Sequence, residues 1–141
     1  MWNLDDASTY VRFYVRRLPF VYTWGQDDKS KRERIRSAVA EDFPTVKPVV
    51  AWWALRLLVR KHNAYRFDIE NTIKIIGDAF SADQLVRDQS PYTQRALYPD
   101  DTIKYLKIIQ VADESIFGRD ALAGNALTIE IFGRIIGTHA P

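Results

Sequence analysis

At 141 residues, with 47% hydrophobic and 13% aromatic content, the chain is long enough to bury a core without metal or disulfide support. It has no cysteine and two histidines, which excludes a disulfide frame, zinc–thiolate and iron–sulfur sites, a cysteine nucleophile and a multi-histidine metal centre. The net charge of +2 is uneven: residues 1–66 hold 13 Lys/Arg against 7 Asp/Glu and residues 67–141 hold 7 against 11, so the halves either form separate faces or attract each other.

The opening residues, MWNLDDAS, lack the basic and apolar runs of a secretory signal. Residues 10–18 place Val11, Tyr14, Val15 and Leu18 on one helical face behind Asp5 and Asp6, and Pro19 ends the segment. The same β-branched and aromatic residues also fit one arm of a hairpin across Pro19, with PFVYTW as the other arm. Phe20, Tyr22 and Trp24 form an aromatic loop closed by Gly25, and Asp27 or Asp28 caps a helix over 29–42 with a thin apolar side. Residues 49–62, VVAWWALRLLVRKH, predict a helix that is apolar nearly all round and ends in cations, so other elements must enclose it. No apolar run is long enough to span a bilayer.

Asp68 caps an amphipathic helix over 69–80, in which Ile69, Ile73, Ile76 and Phe80 share a face and Glu70 and Lys74 stand at i,i+4. Ser81 with Gln84 forms a capping box for a short helix to Asp88. Ser90-Pro91 opens another helix to Leu97, and Pro99-Asp100-Asp101 opens one over 102–112. The final predicted helix, 120–136, carries Leu127, Ile131 and Ile135 on a wide apolar arc, to be covered by the core or by a second copy of the chain. The expected fold is a single all-α domain over 1–141, a compact irregular or orthogonal bundle of seven to nine helices. The alternative is α+β with a small N-terminal hairpin.

Two constellations bear on function. Lys29, Lys31, Arg32, Arg34 and Arg36 crowd one predicted helix beside Trp24, a pattern that can track phosphates while rings stack on bases. Arg56, Arg60 and Lys61 continue the basic character at the end of the 49–62 segment. Within and beyond that second cluster, Arg56 and His62 have five residues between them, and Arg134 and His139 have four. Both spacings resemble the short Arg…His motif of the HEPN superfamily of helical RNA-cleaving and RNA-binding domains. The resemblance implies a helical frame, a histidine that assists proton transfer and an arginine that holds phosphate, usually across a dimer. The polar residue that often follows the arginine in that motif is replaced by Leu57 and Ile135.

No glycine-rich phosphate loop, nucleophile elbow or cofactor motif is present, and the paired carboxylates Asp5-Asp6, Asp100-Asp101 and Asp113-Glu114 fall where helix caps or ends are expected. The leading expectation is a cytoplasmic, non-enzymatic binding protein of the accessory, adaptor or inhibitor type known from bacteria, phages and viruses. It would use its charged, aromatic surface on a protein partner, without metal, cofactor or membrane. The alternative is an RNA-directed protein, either a nucleic-acid binder or an Arg–His ribonuclease.

Overall fold

The computed structural model describes residues 2–61, 67–117 and 124–137. In chain order these form β1 (Tyr10–Leu18), α1 (Asp28–Val39), β2 (Val50–Arg60), α2 (Asn71–Ala79), α3 (Ala82–Arg87), β3 (Leu106–Asp113) and β4 (Ala126–Ile135), with 3₁₀ turns at Thr93–Arg95 and Glu114–Phe117. The strands make one mixed sheet in the order β1-β4-β2-β3. β4 runs antiparallel to both β1 and β2, while β2 pairs in parallel with β3. A parallel pair needs a crossover, and α2 and α3 supply it.

The fold is therefore α+β, not an all-α bundle. The physical reason lies in the two central strands. A strand covered on both faces is apolar at successive positions, so it lacks the alternation that marks a half-exposed strand. Residues 49–62 looked like an all-round apolar helix for that reason: β2 lies between β4 and β3, with Trp53, Ala54, Leu55 and Leu57 all buried. β4 is the same case, buried from Ala126 through Gly133, where a long final helix was expected. The 102–112 helix is replaced by a turn and β3, and the 90–97 helix by the single turn Thr93–Arg95. Residues 10–18 are a strand, but β1 pairs with β4 rather than forming a hairpin across Pro19. The helices expected at 29–42, 69–80 and after Ser81 are present as α1, α2 and α3, but the aspartates do not cap the first two: Asp28 accepts from the Gly25 N–H, and Asp68 accepts from the Glu70 N–H ahead of α2. Ser81 Oγ caps α3 by accepting from the backbone N–H of Gln84 at 3.4 Å.

Alternation along the strands separates two faces. On one, Tyr14, Leu18, Leu55, Leu57, Leu127, Ile129 and Ile131 meet Ile35 and Val39 of α1 and Ile75, Ile76 and Ala79 of α2. This is the main core. On the helix-free face, a smaller cluster joins Leu4, Tyr10, Ala54, Ile108 and Phe132. Leu127 and Ile131 are thus enclosed by the domain's own core, and Ile135 is half-buried. Among the described residues, no helix is long and apolar enough to cross a membrane.

Candidate functional site

The crossover from β2 to β3 lays α2 along the sheet and brings the turn before β3 against it. Between them lies a cleft of about 510 Å³, lined in part by Glu70, Lys74, Gly77, Asp101 and Leu106. That volume falls in the ~300–1,000 Å³ range of ligand sites. Lys74 Nζ donates to Asp78 Oδ1 at 3.1 Å and stands 3.5 Å from Asp101 Oδ2. Burial pushes the Asp78 carboxyl up. Lys74 pulls it down, but a hydrogen bond with the Asp101 carboxyl adds to the rise, and the net shift is upward. Burial lowers the Lys74 pKa, but its bonds and charge contacts with Asp78 and Asp101 outweigh that, and the ammonium is held charged.

Asp68 and Asp100 flank this cleft in sequence and act on the backbone: each accepts from an N–H two residues on, that of Glu70 or of Thr102, at 3.0 Å. Among the described residues, no group of three or more His, Asp or Glu side chains is arranged to hold a metal ion. A divalent cation here would depend on water and a substrate phosphate to complete its shell, which is the usual habit of Mg²⁺.

The sequence reading did not assign this cleft. Glu70–Lys74 registered as a helix pair and Asp100-Asp101 as a cap. Their convergence becomes visible only when 50–60 and 106–113 are taken as parallel strands, because the crossover then carries α2 past the turn that opens β3.

The basic helix is built differently from the face expected. Arg32 and Arg36 are buried, and both bond to Asp88, Arg32 through two bonds of 2.7 Å and Arg36 through one of 2.9 Å. Lys31 donates to the carbonyl of Thr23 at 2.7 Å. Lys29 and Arg34 are exposed. The Arg34 guanidinium lies 5.9 Å from the Phe20 ring and 5.8 Å from the Tyr22 ring, and the two rings stack with centroids 4.8 Å apart. Trp24 is 53% exposed.

Arg56, Arg60 and Arg134 stand on strands rather than helices. Arg56 bonds both Glu130 and Asp5, and Glu130 also receives Arg12 at 3.0 Å. Arg17 bonds Glu114 at 2.7 and 2.9 Å, with Arg60 3.9 Å from the same carboxylate. Arg134 donates to the carbonyls of Thr9 and Ile135 and packs over Tyr10. These residues make an arginine–glutamate ladder on the helix-free face. The histidines of the Arg…His spacings, His62 and His139, lie outside the described residues. The α+β sheet removes the helical frame on which that resemblance depends. Lys61, just past β2, sits 5.8 Å over the Phe67 ring.

The chain matches no protein-family model and no curated protein at a significant level of similarity.

Proposed function

We propose that the protein acts on nucleic acid and that the cleft between α2 and β3 is its chemical centre. The observation that carries this reading is the convergence of two carboxyl groups, Asp78 at 3.1 Å and Asp101 at 3.5 Å, on the amine of Lys74 at the edge of one cleft. Two carboxylates that converge in this way could hold a divalent cation, and a lysine beside them can steady a phosphate or donate a proton to a leaving oxygen. The corresponding reaction is hydrolysis of a phosphodiester. A water oxygen attacks phosphorus while its proton passes to a carboxylate. The bond from phosphorus to a sugar oxygen breaks, and that oxygen takes its proton from Lys74. The exposed cations Lys29 and Arg34, with Lys61 at the end of β2, add non-specific attraction for the backbone. A cysteine-free chain suits the reducing cytoplasm, where we place it.

The test is incubation of the protein with end-labelled single-stranded, duplex and branched DNA and RNA, with Mg²⁺ or Mn²⁺ and with EDTA. Metal-dependent cleavage is expected, with Lys74→Met and Asp101→Asn each lowering the rate by about 100-fold or more. No cleavage of any of these by the wild type overturns the enzymatic reading.

A second reading, binding of a protein partner without catalysis, is favoured by the helix-free face. Two of its arginines are only half covered: the Arg12 and Arg17 side chains remain 53% and 47% exposed although paired. A discrete protein that co-purifies and is released by Arg12→Glu with Arg17→Glu supports that reading.

A further inference from the structure

Beside the reactive cleft, the loop over residues 20–25 is fastened by three hydrogen bonds at the C-terminal end of its aromatic run. The backbone N–H of Trp24 donates to the carbonyl of Asn71 at 3.0 Å, next to Glu70 of the cleft. The carbonyl of Thr23 accepts Lys31 of α1, and the N–H of Gly25 donates to Asp28 Oδ1 at 2.9 Å. Gly25 has a φ of +149°, a turn that suits glycine alone. The loop is thus held on α1 and α2 together, and its rings form a strip: exposed Trp24 at the α2 end, then Tyr22 and Phe20 stacked under Arg34.

Past that strip a second cleft of about 370 Å³ opens, lined by Phe20, Glu33, Arg34, Ser37, Ala38 and Tyr92. Glu33 is fixed there by Arg36 at 3.2 Å and by the Ser90 hydroxyl at 3.1 Å. The walls are flat aromatic or guanidinium surfaces, and the hydrogen-bonding groups are a carboxylate and a hydroxyl. Such walls suit a planar base, because nucleobases stack on rings and on arginine planes and present amino and carbonyl edges to short polar side chains. A phosphate alone would gain nothing from the rings and would be repelled by Glu33.

We propose that this strip and cleft form a stacking track for unpaired bases, which receives the single-stranded nucleotides adjoining the reactive phosphate. The proposal rests on the nucleic-acid reading above and adds to it the strand state of the substrate: bases on this side of the cleft are unpaired. Trp24 takes the base next to the cleft, and the Phe20–Arg34–Tyr92 pocket takes one further out.

Fluorescence anisotropy in EDTA decides it. A short labelled single strand and an abasic strand of the same length are titrated with wild type, Trp24→Ala, Arg34→Ala and Tyr22→Leu. Circular dichroism and melting of each variant check the fold. Trp24 is exposed, so its variant remains decisive if Tyr22→Leu unfolds. The expected result is about tenfold weaker binding of the base-bearing strand by Trp24→Ala and Tyr22→Leu with unchanged binding of the abasic strand, while Arg34→Ala weakens both strands and the base-bearing one more. Equal binding of the two strands by the wild type overturns the stacking track and leaves the nucleic-acid reading in place. Binding of neither strand overturns both.

Discussion

Asp88 sits buried where α3 meets α1 and receives Arg32, Arg36 and the Gln84 amide. Burial opposes its ionisation, but those hydrogen bonds prevail and its pKa falls to about 2. The folded value lies below the ordinary carboxylate value, so its stabilisation is full above about pH 4 and is lost as pH falls towards about 2, amounting to about 2 kcal/mol. Asp78 has the opposite sign: its raised pKa favours the protonated fold, and that contribution fades as pH rises. Asp88→Asn leaves Arg36 buried with Glu33 as its remaining carboxylate partner. Urea unfolding across pH should show about 3 kcal/mol lost near neutrality and a shallower acid limb below pH ~4.

At the level of single elements, Gly133 shows why β4 has the residue it has. A Cβ there would collide with the Val50 side chain of β2 and come within 3.3 Å of Val11 in β1. Gly133→Ala should destabilise the fold by about 2 kcal/mol, read as a lower urea midpoint, and shortening Val50 to Ala in the same chain should recover part of that loss.

The three helices were legible because each announces itself locally: the acidic start at Asp27–Asp28, an isoleucine stripe after Asp68, and Ser81 with Gln84. β2 and β4 were not, because their apolar runs record neighbours that come from distant parts of the chain. β1 does alternate in burial, yet the acidic residues before it, which hold the turn at Asp6 through Ser8 and Thr9, imitate a helix start.

For the whole molecule, the strand order resolves the uneven charge. β1 and β2 come from the basic half and alternate across the sheet with β4 and β3 from the acidic half. Arg12 and Arg56 meet Glu130, Arg17 meets Glu114, and Arg32 and Arg36 meet Asp88, so the halves interleave rather than forming two faces. The candidate cleft was hidden for a different reason: Lys74 and Asp78 are an ordinary i,i+4 pair on α2, and Asp101 joins them only through the crossover that leads into β3. The interleaving also makes the fold indivisible. A chain ending before Ala126 lacks the strand that joins β1 to β2, and such a truncation should show no cooperative thermal transition by circular dichroism.

That the sheet's middle is supplied by its last-made strand matters during synthesis. The stretch from Arg60 to Ala126 takes on the order of several seconds to translate at ~5–20 residues/s, and throughout that interval β1 and β2 leave the ribosome with no strand between them. Each carries arginines, Arg12, Arg16 and Arg17 on one and Arg56 and Arg60 on the other, whose mutual repulsion keeps two bare ribbons from joining each other or a neighbouring polypeptide before the proper filler arrives.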